Sequence, residues 1–369
     1  MVSIQASTSG LNQVDACRLT KGWAKSSEVW ADLAEISPGT LKRFWQSKPI
    51  RSDSFQKICT VVGISQWQDI ANLGTNDDHL FKPLSLAHFI TGNPVLQPRF
   101  FFGRERSVRR IFSVLNRHPL QNISIVGPRR SGKTSLLHYL SSITNTPKAC
   151  LREGQRNDWL SNPGQYNWIF IDFQDKRMTN RETLLGYILE QMNISSGESI
   201  DLESFINIFS TRIKTPIILL LDEIDVALQP HSSLDDPFWE SLRSLATNQS
   251  NGNLAFVVAT TSHPSELAIS NGYTSPFFNI FGRTIRLGAF NKPTAEELIT
   301  SSPISFPEED IEWIIHHSHC WPLLLQILCS ERLFALEEQA DGNGDSYDWK
   351  EQGLFELNKF KHLLQEVYD

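Results

Sequence analysis

Residues 127–134 read GPRRSGKT, which matches the phosphate-binding pattern GxxxxGK[ST]. The pattern follows an apolar stretch, Ile123–Val126, and opens a stretch with helical periodicity, Ser131–Ser142. Glycines allow such a loop to turn its backbone N–H groups toward phosphate oxygens, and the start of the following helix adds partial positive charge. A strand, a glycine-rich loop and a helix in this order predict a nucleotide-phosphate site.

Two side chains of this loop have specific expected roles. The Lys133 ammonium is expected to reach the β- and γ-phosphates, and the Thr134 hydroxyl to hold Mg²⁺. Lys133 is therefore also predicted to be catalytic. The predicted nucleotide-binding residues of this stretch are Gly127, Pro128, Arg129, Arg130, Ser131, Gly132, Lys133, Thr134 and Ser135.

A second motif, at residues 216–223, reads PIILLLDE, an apolar strand that ends in two carboxylates. Asp222 is expected to coordinate Mg²⁺, directly or through water, and Glu223 to orient and deprotonate an attacking water. Asp225 is either a second layer of this site or a surface acid. The next apolar strand, Leu254–Thr260, is followed by Thr261, whose hydroxyl either senses the γ-phosphate and positions the water or simply ends the strand.

Strand and helix patterns alternate over this part of the chain, which indicates an α/β fold, a P-loop NTPase with a five-stranded parallel sheet. The predicted strands are Ile123–Val126, Trp168–Phe173, Ile217–Leu221, Leu254–Thr260 and Thr284–Leu287. Four regions are predicted: a small all-α domain at 11–72, a linker rich in glycine and proline at 73–98, the core at 99–290, and an α-helical lid or winged-helix-like domain at 291–369.

Composition excludes several classes of protein. The chain has 369 residues, 40% hydrophobic, and a net charge of −7, so neither wholesale disorder nor nucleic-acid binding by the whole chain is indicated. No apolar run is long enough to cross a membrane. Five cysteines without a CxxC pair argue against a disulfide framework and favour a cytoplasmic protein.

The motifs together resemble a known group of proteins. Residues 101–105 read FFGRE, similar to the entry motif of AAA+ and STAND ATPases, and the segments GPRRSGKTS, LLLDEID and SPFFNIFGRTIRLGAF extend the resemblance. It implies binding of ATP or ADP with Mg²⁺, and ATP rather than GTP because no NKxD motif occurs. It also implies that Phe102, Gly103 and Arg104 line the adenine site.

Two further features follow from the resemblance alone. Arg283 stands where AAA+ proteins often carry an arginine finger, which would act on a neighbouring subunit and so implies a homo-oligomer. Pro322 retains the proline of the STAND lid motif, but Cys320 or Trp321 replaces its glycine. Next to it, His316, His317, His319 and Cys320 form a short cluster that lacks the distant ligand pair expected of a metal site.

Residues 26–63 resemble the helix-turn-helix of phage-repressor-like proteins. Val29, Leu33 and Ala34 have the spacing of a first helix. Ser37 is expected to be the N-cap of a second helix, with Pro38 at its first position. Leu41 and Phe44 are the expected buried positions of that second helix. The partner is either duplex DNA or another protein, the latter favoured by an exposed Trp45. The residues that would face DNA are Thr40, Lys42, Arg43, Gln46, Lys48 and Arg51.

Three functional hypotheses follow. The first is an ATP-hydrolysing switch of AAA+/STAND type whose nucleotide state controls oligomerisation and output through the N-terminal module. The second is a DNA-binding AAA+ ATPase, resembling origin-recognition or transposition-targeting proteins. The third is nucleotide binding without turnover.

Overall fold

The computed structural model describes residues 3–6, 10–11, 14–15, 17–18, 21–64, 67, 70–72, 88–195, 200–229, 232–340 and 348–360. The chain divides into two compact units, Met1–Leu86 and Ala87–Asp369. The second unit therefore contains both the predicted core and the predicted lid. Most of the predicted linker falls outside the described residues, which resume at His88.

The N-terminal unit combines helices with a small antiparallel sheet. Its elements are β1 (Ser3–Ala6), α1 (Glu28–Leu33), α2 (Pro38–Trp45), β2 (Ile50–Arg51), α3 (Ser52–Val61) and β3 (Ala71–Asn72). The strand order is β2-β1-β3, with β1 in the centre. The prediction of an all-α domain was wrong, because β1 precedes residue 11 and its partner strands are too short to give a sequence pattern.

The core of this unit is built on large aromatic side chains. Trp30, Phe44 and Phe55 are fully buried, and Leu41 is buried as expected. The Ser37 side chain accepts a hydrogen bond from the Thr40 N–H at 3.2 Å, which confirms the predicted start of α2.

The structure gives the exposure of three apolar side chains that the sequence analysis singled out. Val29 and Leu33 on α1 are each 58% exposed, since Trp30 and Ala31 take the buried side of that helix. Trp45 is half-buried rather than exposed, because the Lys25 ammonium lies 4.6 Å from the centre of its ring.

The second unit is built on a five-stranded parallel sheet, as predicted. Its strands are β4 (Ile123–Val126), β5 (Asn167–Asp172), β6 (Ile217–Asp222), β7 (Leu254–Thr260) and β8 (Arg283–Arg286). They lie in the order β5-β6-β7-β4-β8, and each neighbouring pair is parallel. Along β6, Leu219 packs into the core on one face and Leu220 into the core on the other. Both faces of the sheet are thus covered, which explains the continuously apolar strands.

Helices cover the sheet and then form a separate apolar cluster at the C-terminal end. The helices are α4 (Glu105–Leu115), α5 (Lys133–Ile143), α6 (Arg181–Gln191), α7 (Leu202–Arg212), α8 (Ile224–Ala227), α9 (Asp236–Ser244), α10 (Pro264–Ser270), α11 (Lys292–Thr300), α12 (Glu308–Ser318), α13 (Pro322–Ala340) and α14 (Trp349–Asn358). Within 291–340 and 348–360 the structure describes helices and no strand, so the wing of a winged helix is not seen there; we call this helical region the lid, after its predicted role. None of the described helices has the length and apolarity needed to span a membrane.

Candidate functional site

A cavity of about 570 Å³ lies where the parallel strands end and the loops that follow them begin. It is lined by both the core and the lid of the second unit. Of the predicted site residues, it contains Phe102, Arg104, Arg129, Arg130, Ser131, Gly132, Lys133, Thr134, Ser135, Asp222, Glu223 and Pro322. One part of the cavity wall is largely apolar. It consists of residues 90–95, Phe100–Phe102 and Leu323.

The phosphate loop can lie close to the sheet because it contains glycine. A Cβ at Gly127 would lie 2.6 Å from the Leu287 carbonyl oxygen, a distance that no other residue tolerates. Gly132 has a φ of 91°, in the left-handed region that favours glycine, and α5 begins immediately after it at Lys133. The loop therefore presents the N-terminus of α5 to the cavity.

The side chain of Lys133 lies inside this loop. Its ammonium donates hydrogen bonds to the carbonyl oxygens of Gly127 at 2.8 Å and Pro128 at 3.0 Å. Burial lowers the pKa of Lys133, while the nearby carboxylates of Glu223 and Asp222 oppose that change. Among the described residues this buried cation has hydrogen bonds only to neutral carbonyls, so it is suited to meet an anion entering the cavity.

Asp222 has the properties of a cation ligand. It is 3% exposed, and its Oδ1 atom is buried with no hydrogen-bond partner among the described residues. Burial raises the pKa of Asp222 to about 6, although a hydrogen bond from the Thr134 side chain acts against the rise. Asp172 pairs in register with Asp222 on the adjacent strand and also lines the cavity. Two carboxylates and a hydroxyl form an oxygen-rich group that fits Mg²⁺.

Asp222→Asn is expected to stabilise the Mg²⁺-free and nucleotide-free protein in a pH-dependent way. Because the folded-state pKa is raised, the wild type loses stability as the pH rises toward and through about 6. The variant lacks this loss, so its free energy of unfolding should exceed that of the wild type by on the order of 2 kcal/mol at pH 8 and by less at pH 4.5. Urea unfolding in EDTA measures the difference. Equal stabilities at pH 8 would contradict the assignment of Asp222 as a destabilised buried acid.

Glu223 follows Asp222 in a strained conformation at the start of α8. Its φ is 52°, in the left-handed region, and its side chain lines the cavity. Thr261 is not among the residues that line the cavity. Its hydroxyl donates to Asp225 Oδ2 at 3.4 Å, and Asp225 acts electrostatically on Lys133. Asp225 therefore belongs to the surroundings of the site rather than to the open surface.

Arg104 lines the cavity, yet its guanidinium bonds to the protein. Nη2 donates to the Ser131 carbonyl at 3.3 Å and to the Gly288 carbonyl, which joins the phosphate loop to the segment after β8. The guanidinium also lies 4.6 Å from the centre of the Phe290 ring. Burial lowers the pKa of Arg104 to about 10, so the group stays charged at neutral pH. The structure thus gives Arg104 a positioning part in the site.

Gly103→Ala is expected to destabilise the second unit. Gly103 has a φ of 64°, and a Cβ there would lie 2.5 Å from Cγ2 of Thr294 on α11. Backbone strain and overlap together should cost about 2 kcal/mol. Gly92→Ala, also on the cavity wall, is the matched control, because its added Cβ would meet nothing within 4 Å. Thermal unfolding measures both variants, and equal melting temperatures would contradict the close approach at Gly103.

Residues 88–98 are part of the site, although the sequence predicted a linker there. The Ile90 N–H donates to Gln326 Oε1 on α13 at 3.0 Å, and the Val95 N–H donates to Ser135 Oγ at 3.0 Å. Arg130 Nη1 donates to the Gly92 carbonyl at 3.0 Å. This segment therefore joins the lid to the phosphate loop across the cavity.

Two other predictions concern residues outside the cavity. Arg283 is exposed and pairs in register with Ile123, at the end of β4 opposite the phosphate loop, so it does not meet its own chain's cavity. For the His316–Cys320 cluster, the described residues supply no group of three suitable metal ligands. Instead, His317 stacks on Trp313 with ring centres 4.0 Å apart.

Several site residues were missed by the sequence analysis, namely Asp172, Gln174, Phe290, Leu298 and Gln326. A signal existed for Asp172, because it is a carboxylate near the end of the predicted strand Trp168–Phe173, which the structure pairs with the strand that ends in Asp222. Gln174 directly follows the same predicted strand, whereas Phe290, Leu298 and Gln326 reach the cavity from distant parts of the chain and no local pattern marks them.

Several solved structures align with this chain. A Walker-type ATPase of Pyrococcus abyssi aligns with a TM-score of 0.51 at 17% identity, over 75% of this chain and 78% of that one. Cdc6p of Pyrobaculum aerophilum aligns with a TM-score of 0.49 at 15% identity, over 68% and 66% of the two chains. Domain III of the Thermotoga maritima replication initiation protein DnaA gives 0.44 and 15%, over 76% and 99%. No protein-family model matches the sequence, and no curated protein matches it significantly.

The parallel sheet, the phosphate loop and the first of these alignments define the class of the second unit. It has the fold of a P-loop ATPase, the class to which AAA+ proteins belong.

Proposed function

We propose that this chain binds and hydrolyses Mg-ATP and works as a nucleotide-controlled switch of AAA+/STAND type. The observation that carries the proposal is the single cavity shared by the phosphate loop, the acidic strand end and the lid. Gly127–Ser135 hold the phosphates, and Phe102 with the apolar wall holds the base. Bound Mg²⁺ supplies positive charge at the β- and γ-phosphates, with Thr134 and Asp222 as the protein groups that hold it.

The chain's own residues then perform distinct tasks. Lys133 exchanges the carbonyls of Gly127 and Pro128 for phosphate oxygens, which places its charge beside the bond that breaks. Glu223 orients a water and accepts its proton as that water attacks. Thr261 acts through Asp225 and not by touching nucleotide. Arg283 is proposed to act only on the nucleotide of a neighbouring copy.

The switch follows from contacts on both sides of the cavity. Pro322 and Gln326 come from the lid, whereas Lys133 and Glu223 come from the core, so a bound triphosphate contacts both. Such a ligand biases a hinge between two arrangements by its difference in affinity for them. The output is proposed to pass through the N-terminal unit, whose helix-turn-helix-like helices would dock another protein.

The test is phosphate release by the full chain together with its assembly state. We expect release that requires Mg²⁺, prefers ATP to GTP, and rises per chain with protein concentration as copies meet. Gel filtration without nucleotide, with ADP and with a slowly hydrolysed ATP analogue should show the largest species with the analogue. A constant monomer would overturn the part of the proposal that rests on Arg283, and absence of phosphate release would overturn hydrolysis.

A second candidate is a DNA-binding ATPase that grips duplex through the N-terminal unit. It is favoured by Lys42 and Lys48, which are exposed on or just after α2 and take part in no ion pair among the described residues. Duplex binding that Lys42→Gln/Lys48→Gln abolishes would support it.

A further inference from the structure

Helix α4 and its flanks carry a charge opposite to that of the chain as a whole. Residues 99–118 contain six arginines and a single acidic residue, Glu105, while the complete chain has a net charge of −7. Neither the candidate site nor the proposed switch uses most of these arginines. Only Arg104 lines the cavity.

Four of the arginines share the outward side of this helix. Val108, Ile111, Phe112 and Leu115 bury the inner side in the core that covers one face of the sheet. The residues on the outer side are exposed: Arg106, Arg109, Arg110 and, just after the helix, Arg117. We call these four residues the arginine stripe. Their separations of three, four, seven and eleven residues keep them on one side over about 16 Å.

The stripe has no acidic partners in the part of the chain that the structure describes. None of its four guanidinium groups makes an ion pair or a side-chain hydrogen bond there, whereas Arg152, Arg156, Arg177 and Arg181 all pair with acids. Unpaired like charges on neighbouring turns repel each other. An anionic partner would remove this repulsion and stabilise the stripe.

The neighbouring edge strand adds to this positive surface. Ile285 packs in the same core cluster as Ile111 of α4, and side chains two apart on a strand share a face. Arg283 is therefore on the α4 side of β8, and it too is exposed.

The side chains around the arginine stripe favour one kind of anionic partner. Protein interfaces centre on buried apolar side chains, and none of the large exposed apolar residues lies on α4. Single-stranded nucleic acid is held largely by exposed aromatic rings, and Phe112, the aromatic residue of α4, is 1% exposed. The stripe has neither exposed apolar side chains nor exposed aromatic rings, but it has a row of unpaired guanidinium groups. Such a row matches the regularly spaced phosphates of a duplex. Arginine binds a phosphate through two parallel N–H groups.

We propose that the arginine stripe on α4 is a docking surface for the phosphate backbone of double-stranded DNA. The surface belongs to the ATPase unit and is separate from the N-terminal unit. It carries no sequence preference, because backbone contacts position a protein without reading bases.

The test is fluorescence anisotropy with the full chain, without nucleotide, and a labelled 30-base-pair duplex of arbitrary sequence. The stripe variant is Arg106→Gln/Arg109→Gln/Arg110→Gln. The matched control, Arg177→Gln/Arg212→Gln/Lys214→Gln, removes the same charge on the other side of the sheet, where α7 packs through Phe205 and Phe209. A second control, Lys42→Gln/Lys48→Gln/Arg51→Gln, alters the N-terminal unit.

We expect the stripe variant to bind at least 10-fold more weakly near 100 mM salt, and its slope of log affinity against log salt to be shallower by about 2.7. The matched control should keep wild-type affinity and slope. Equal losses in the stripe variant and the matched control, or loss in the N-terminal variant alone, would overturn the proposal. So would polyglutamate binding as tightly as duplex, which would identify an acidic protein as the partner. Because no nucleotide is present, these outcomes do not depend on ATP hydrolysis.

Discussion

Lys133→Ala is expected to weaken ATP binding on the order of 100-fold and to abolish phosphate release. In the part of the wild-type chain that the structure describes, the ammonium donates to two backbone carbonyls, and these are readily exchanged for charged phosphate oxygens. A charge-assisted hydrogen bond in such a buried position is worth about 2–3 kcal/mol, which corresponds to this loss of affinity. Titration with a fluorescent ATP analogue measures it.

The matched control for this variant is Lys148→Ala, which removes an exposed lysine outside the cavity. It should bind ATP as the wild type does. The melting temperature of Lys133→Ala without nucleotide should not fall, because the substitution removes a buried charge whose pKa is lowered by burial. Unchanged affinity in a folded Lys133→Ala protein would contradict the role of the phosphate loop.

Glu223→Gln is expected to separate binding from hydrolysis. The amide keeps the shape of the side chain and cannot accept a proton from water, so phosphate release should fall about 10²- to 10⁴-fold. Affinity for ATP should stay within a few-fold of the wild type, since Lys133, Thr134 and Asp222 are unaltered. Single-turnover phosphate release and equilibrium binding measure the two effects independently.

Glu266→Gln provides the control for this second variant, as Glu266 is exposed in the first turn of α10 and away from the cavity. It should hydrolyse ATP at the wild-type rate. If wild type and Glu223→Gln release phosphate equally slowly, the protein binds nucleotide without turnover, and the switch works by exchange alone.

The fold of the second unit could be predicted from sequence because its signals are local. Its inner strands β4, β6 and β7 are runs of largely apolar, buried residues, and the observed bounds of Leu254–Thr260 and Ile123–Val126 match the predicted ones. The phosphate loop and the two acids after β6 are contiguous motifs. Strands and motifs of this kind can be predicted because all their residues lie within about ten positions of one another in the sequence.

The remaining features depend on distant contacts. Residues 88–95 have the glycines and prolines of a linker, and only their hydrogen bonds to Gln326 and Ser135 make them a wall of the cavity. The N-terminal sheet pairs Ala6 with Ala71, positions far apart in sequence that have no shared pattern. Arg104 was expected beside the base, but its geometry follows from carbonyls on two separate loops.

The central claim is that this cavity grips a triphosphate together with Mg²⁺. Calorimetric titration of the full wild-type chain with ATP, in Mg²⁺ and in EDTA, tests that claim most directly. We expect one site per chain, with micromolar affinity in Mg²⁺ and at least 10-fold weaker binding in EDTA, where Asp222 and Thr134 have no ion to hold. Absence of binding in Mg²⁺, or equal affinity in the two solutions, would contradict the account.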